Sequence, residues 1–204
     1  VQRGLMKTDK FFSISDEIGQ HPRLQAHRPA VFPNTGNLRL TQVDRPWARW
    51  SGGKLGPSGI DLWRVETTGH DIDLVNASKW SYHLPLAGSM SLTYLRSQHA
   101  LKSLRGALLT AEARTTRTIA PRSGIFESAV VLIPPTLLED PFEAEPRPSQ
   151  GHIIPETTEL QGFVLYLFQM LSRPGSPLAS ARVLQSAGVI FAELYRDALV
   201  RNGE

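Results

Sequence analysis

Six histidines, His21, His27, His70, His83, His99 and His152, are the side chains of this sequence best suited to hold a metal or move a proton. Residues two apart on a strand share a face, so a metal-binding β-barrel needs a His-x-His pair, a nearby carboxylate and a third histidine from farther along the chain. No two of the six have that spacing. His83 and His99, on neighbouring predicted strands, are the one pair that geometry allows, and without supporting ligands they read as surface or hydrogen-bonded histidines. We expect neither a metal site nor a cofactor.

Nucleophilic and phosphate chemistry fare no better. A serine hydrolase places its nucleophile on an elbow of the form G-x-S-x-G; GPSG at 56–59 and PRSG at 121–124 come nearest, lack it, and read as loops. The glycines and lysine of SGGKLGPSG, residues 51–59, do not make a phosphate-binding loop and no helix directly follows, so a flexible hairpin loop is expected. With 0 cysteines the chain has no disulfide, thiolate metal site or thiol nucleophile. No catalytic residue is assigned.

What remains is an aromatic strand. WSYHLPLAGSMSLTYL, residues 80–95, puts Trp80, Tyr82, Leu84 and Leu86 on one side and Ser81, His83, Pro85 and Ala87 on the other. Small-ligand pockets are mostly apolar with a few placed polar groups. The candidate ligand-binding residues are therefore Trp63, Trp80, Tyr82, Leu84 and Tyr94, with Arg64, His83 and Arg96 available to fix a polar or anionic group. Parity sets Trp63 against Arg64 and Tyr82 against His83, so all of these cannot line one cavity, and the aromatic set is preferred to the charged one. Apolar strand faces are usually plain core, which is the competing reading of Tyr82, Leu84 and Leu86.

The elements that position these residues follow from period and punctuation. At 204 residues, 41% hydrophobic and 20% charged, the chain should fold as one domain with an extension or as one large β domain. Residues 1–25 form a lead-in without a clear period. From 26 to 142 short alternating runs such as DLWRVETT, DIDLVNA, SLTYLRS, TRTIAP and ESAVVLIP are separated by Gly/Pro turns, which points to a barrel or sandwich. Five prolines between Pro134 and Pro148 mark a linking segment, with the linker set at 143–156.

Residues 157–202 read as a helical hairpin: Leu160, Phe163, Val164, Leu167 and Leu171 recur at helical spacing behind a Thr157 or Thr158 cap, and RPGSP stops the helix. The second helix is apolar over a wide arc. Val183, Ala187, Ile190 and Leu194 are assigned to an isologous dimer, with Gly188 permitting a close approach.

The order of features from Trp80 to Leu138 resembles the N-terminal effector-binding and dimerisation domain of AraC/XylS-type transcriptional regulators. The resemblance rests on the YHLPLAG strand at Leu84–Gly88, the glycine opening a strand at Gly106, and the closing VLIPPTLL segment at Val131–Leu138. Ala107 stands where that family usually has aspartate. The resemblance implies an α+β fold, a cupin-like β-barrel or sandwich of short antiparallel strands followed by a C-terminal helical hairpin. It also implies a small-molecule effector, a homodimer through the C-terminal helices, and DNA contact only through a domain missing from this chain.

A full regulator would continue for about another hundred residues, so a fragment or a stand-alone sensor is expected. The net charge of +3, with scattered arginines and no basic stripe, argues against direct nucleic-acid binding by these residues. The chain has no apolar run near the roughly 20 residues that cross a bilayer and no signal-like start, so a soluble cytoplasmic protein with no membrane partner is expected. The rival readings are a metal-dependent cupin dioxygenase or isomerase and a stand-alone small-molecule-binding or structural protein.

Overall fold

The alternating runs of the middle of the chain pair into two antiparallel sheets that face one another. A computed structural model describes residues 11–12, 14–18, 31, 34–41, 46–75, 78–94, 97–122, 124–137 and 153–201. Its strands are β1 (Ile14–Ile18), β2 (Thr35–Leu40), β3 (Ala48–Lys54), β4 (Asp61–Thr67), β5 (His70–Leu74) and β6 (Trp80–Ala87), followed by β7 (Ser89–Tyr94), β8 (Ser97–Lys102), β9 (Ala107–Leu109), β10 (Arg114–Ile119), β11 (Phe126–Ile133) and β12 (Ile153–Pro155). The large sheet runs β1-β3-β4-β11-β6-β9-β12 and the small sheet β2-β5-β10-β7-β8. Two helices follow, α1 (Thr158–Leu171) and α2 (Ala181–Arg201). This is the expected α+β arrangement, a cupin-like sandwich with a C-terminal helical pair.

Two cores explain the strand sequences. Val31, Trp50, Trp63, Val65, Ile72, Leu92, Phe126 and Val130 fill the space between the sheets. A second cluster, with Leu62, Tyr82, Leu84, Leu108, Ala129 and Val131 on one side and Leu160, Val164, Phe168, Phe191 and Tyr195 on the other, joins the outer face of the large sheet to the helices. Among the described residues the small sheet is covered on one face, and β10 alternates strictly between buried and exposed. Its outer side carries Asp71, which accepts from Arg39 at 2.9 Å and from Arg117 at 2.8 Å. In the large sheet both faces are covered, so β11 is buried at seven of its eight positions and alternation disappears.

The sequence reading missed four strands. SGGK, taken for part of a flexible loop, completes β3, and a single 3₁₀ turn at Gly56–Ser58 joins it to β4. The two glycines of β3 are packing residues: a Cβ on Gly52 would lie 2.4 Å from the Trp63 ring, and one on Gly53 2.4 Å from the carbonyl oxygen of Phe11. β8 is an exposed edge strand with one buried residue, Leu101, and so carries almost no apolar signal. β1, within the lead-in, pairs with β3; β12, within the proposed linker, pairs with β9 at the opposite edge, where a proline is tolerated. Residues 143–152 of that linker, together with His21, His27, Arg96 and His152, lie outside the described residues.

The helices end where their sequence predicts. Thr157 caps α1, its hydroxyl accepting from the Leu160 amide at 3.3 Å, and the RPGSP segment separates the helices. Gly188 brings α2 against the β3–β4 turn, where a Cβ would stand 2.8 Å from the Leu55 carbonyl oxygen. Arg64 fastens α1 from below: its guanidinium carbon lies 5.0 Å from the Phe12 ring and 4.8 Å from the Phe168 ring, and it donates to the Ser172 hydroxyl.

Candidate functional site

β6 decides what the interior contains. Its register sets Tyr82 opposite Val131 of β11 and His83 opposite Val130. Val131 belongs to the core under the helices, whereas Val130 belongs to the core between the sheets. Ser81 and His83 therefore face the interior, while Trp80, Tyr82 and Leu84 face the helices.

The five sequence-derived ligand residues are thus not brought together. Tyr82 and Leu84 are fully buried between the large sheet and the helices, and Trp80 packs there edge-on to Tyr195 with ring centres 6.3 Å apart. Trp63 lies between the sheets. Tyr94 lies at one end of that interior, where it donates to the Glu112 carboxylate and shares a close hydroxyl contact with Thr110. The sequence placed Trp63 with Trp80 and Tyr82; the helices bury the second face of the sheet and separate them. Parity had set His83 apart from Tyr82 as the structure does, but which parity faces inward is the reverse of the expectation. Arg64, another candidate, is held in its clamp of two rings on the outer face.

A polar column runs through the interior instead. Arg114, at the start of β10, is buried and donates from Nη2 to the Ser81 hydroxyl at 3.0 Å. The same Ser81 oxygen lies 3.1 Å from Nε2 of His83. The Ser81 hydroxyl thus sits between the guanidinium and the imidazole, within hydrogen-bond distance of both. Burial, followed by the charges of Arg114 and His70, holds the His83 pKa well below 6.5. His70 is pulled down to about 4 by burial, against the opposing charge of Asp71. Its amide donates to Thr118 Oγ1 at 2.9 Å, and that hydroxyl is 3.1 Å from the ring Nδ1.

Between the two histidines lies a cavity lined by Val65, Met90, Thr116, Phe126, Ser128 and Val130. Its free volume of about 10 Å³ is room for about one water. Both rings are neutral at pH 7, so the cavity offers ring nitrogens and hydroxyls without a net charge; the charge of the interior belongs to Arg114. Among the described residues no group of three or more His, Asp or Glu side chains is arranged to hold a metal ion.

Sequence reasoning missed Arg114, His70, Ser81, Thr116, Thr118 and Ser128. RTTRTI in β10 does set Arg114, Thr116 and Thr118 on one face. Nothing in the sequence told that this polar face is the inner one, since the apolar Ile119 lies on the other.

No protein-family model matches the chain, and no curated protein matches it by sequence. Solved structures do match. The chain is similar to an AraC-like transcriptional activator, CuxR, with a TM-score of 0.66 at 13% identity, over 92% of this chain and 70% of that one. This likeness covers the sandwich and the helical pair together. A cupin domain of Cnp3 from Schizosaccharomyces pombe matches more loosely, with a TM-score of 0.38 at 11% identity over 48% of this chain and 70% of that one. The chain shares the fold of that AraC-like activator over its sandwich and helical pair.

Proposed function

We propose that this chain is the sensory domain of an AraC-type bacterial transcriptional regulator. The sandwich binds a small effector between its sheets, the helical pair forms a homodimer, and DNA is contacted through a domain outside this chain. The observation that carries the reading is the shared fold over 92% of the chain, helices included, with an AraC-like activator. The polar column of Arg114, Ser81, His83 and His70 inside an otherwise apolar sandwich supports the effector role, because an interior built only for stability would be filled with apolar side chains. Of the five aromatic and apolar ligand residues expected from the sequence, Trp63 and Tyr94 are the ones that face this interior, and His83, expected there only as a polar alternative, faces it too.

The dimer surface fits α2 in part. Val183 and Ile190 are 36% and 47% exposed, next to Val189, whereas Ala187 is buried against the protein's own core and Leu194 is half-buried. Ligand and dimer are linked only if the effector has different affinity for different arrangements of sheets and helices. In this reading the protein is cytoplasmic and not an enzyme.

The test is a fusion of the chain to an AraC-type DNA-binding domain with a reporter promoter, alongside metal analysis and sedimentation of the isolated chain. Reporter output that requires the sandwich, from a dimeric and metal-free protein, is expected. Stoichiometric iron, manganese or zinc with turnover of a substrate would replace this reading with a cupin enzyme.

A further inference from the structure

We propose that the sandwich takes an effector bearing a single carboxylate, and that Arg114 is the group that binds it. The proposal rests on the sensory reading above and adds the charge and chemical class of the ligand.

Arg114 is 5% exposed and has no carboxylate partner among the described residues. The other described arginines either reach a carboxylate oxygen, as Arg39, Arg49 and Arg117 do, or are exposed or half-buried at the surface. Nearby Glu112 does not fill the role: its carboxylate accepts from Tyr94, and Arg114 reaches only its backbone oxygen. The guanidinium makes one good hydrogen bond, to Ser81 at 3.0 Å, and two long ones, to the Thr110 and Glu112 carbonyls at 3.4 and 3.5 Å. Its Nε–H has no acceptor. Trp63 presents a second buried N–H without an acceptor to the same interior.

A buried charge is costly unless it is paired, and a guanidinium fork matches a carboxylate with two parallel hydrogen bonds. Burial brings the Arg114 pKa down to about 10, so the group remains a cation at neutral pH. His83 and His70 are neutral there, which leaves Arg114 as the one positive charge of the interior among the described residues. A monoanion balances it. A phosphate dianion would leave a buried negative charge with no partner, so the carboxylate is favoured.

Beyond the carboxylate the ligand meets an apolar wall. Arg114 does not itself line the neighbouring cavity; Thr116, the next inward-facing residue of β10, does, together with Val65, Met90, Phe126 and Val130 and the Ser128 hydroxyl. The present volume admits about one water, so a larger acid enters only as side chains such as the flexible Met90 give way.

The experiment compares thermal unfolding of the chain, in chloride-free buffer, with acetate, butyrate and benzoate against acetamide, butyramide and benzamide. It uses the wild-type chain, Arg114→Met and Arg114→Lys, each checked for folding by circular dichroism. A binding carboxylate at 100 times its Kd should raise the wild-type Tm by roughly 5 °C, with no rise from its amide. Arg114→Met, freed of an unpaired buried charge, should melt no lower than wild type without ligand and should not respond to any acid. Arg114→Lys should keep a reduced response. The proposal is overturned if amides match the acids, if chloride matches them, if Arg114→Met still responds, or if the unliganded Arg114→Met melts well below wild type. Stabilisation by the amides alone would leave the sensory reading standing; silence from both sets would remove the effector from that reading as well.

Discussion

The hydroxyl of Tyr82, the third residue of β6, donates to the carboxylate of Glu156, the residue just ahead of the cap of α1. The other oxygen of that carboxylate accepts from the Gly106 amide at 2.7 Å. One acidic side chain therefore ties the start of α1 to β6 and to the residue that leads into β9. Gly106 was picked out in the sequence as the opening of a strand, with no acidic residue beside it; the acid comes from 50 residues downstream.

Removing the hydroxyl with Tyr82→Phe keeps the ring packed and deletes the bond to Glu156. The expected loss is about 1.5 kcal/mol, the low end for a hydrogen bond to a charged group because Glu156 is only half-buried. Urea titrations of Tyr82→Phe, Glu156→Gln and the double variant should show non-additive losses. Strict additivity would mean that the two side chains act independently.

Acid should weaken the protein in a definite window. Native His70 resists protonation until about pH 4, while the unfolded chain takes up that proton near 6.5. The unfolded state then binds more protons between those values, so stability is full above pH 6.5 and falls as the pH drops towards 4. The contribution is about 3 kcal/mol, and His83, lowered in the same direction, adds to it. Asp71, held below its usual range because the bonds and charges of Arg117 and Arg39 outweigh the effect of burial, gives up its share only below pH 3.8. Urea midpoints at pH 7 and pH 4.5 should lie closer together in His70→Gln than in wild type; equal separations would contradict the buried neutral ring.

The two edges of α2 should answer a charge differently. Ala187 is 5% exposed, and Ala187→Glu would bury an unpaired carboxylate against the core, at a cost of about 3 kcal/mol or more. Ile190→Glu, at a position 47% exposed, should leave Tm nearly unchanged and convert a dimer to a monomer in sedimentation equilibrium. A monomeric wild type would refute the dimer, and an unfolded Ile190→Glu would refute the placement of this face.

A pair of glycines separates helix propensity from packing. Gly162, in α1, has open space around it, and Gly162→Ala should stabilise by up to about 1 kcal/mol. Gly188→Ala would meet the Leu55 carbonyl oxygen at 2.8 Å and the Ser58 hydroxyl at 2.9 Å, and should lower Tm despite the same gain in propensity. Similar responses at both sites would show that α2 does not sit this closely on the β3–β4 turn.

The sheet-and-helix order, most strand cores and both helices were legible because alternation and helical period leave clear traces wherever a surface has one wet side. β10 and α1 are examples. β3 was not legible, since its glycines look like a loop until the Trp63 ring that covers Gly52 is in place. The interior was legible only as a choice between two parities. Trp80, Tyr82 and Leu84 looked like the inner set because they are the larger and more apolar ones; the helices supply a second dry surface for them and leave the inner face to Ser81 and His83.

That double covering gives β6 an unusual sensitivity to substitution. From Ser81 to Pro85 every position is buried, on one side by helices and on the other by the opposite sheet. A variant library across these residues would show no alternation of tolerated and harmful sites, although β10 in the other sheet would show it plainly. Damage at odd and even positions of β6 would nevertheless have different origins: one set would loosen the helical roof, and the other would alter what the interior can recognise.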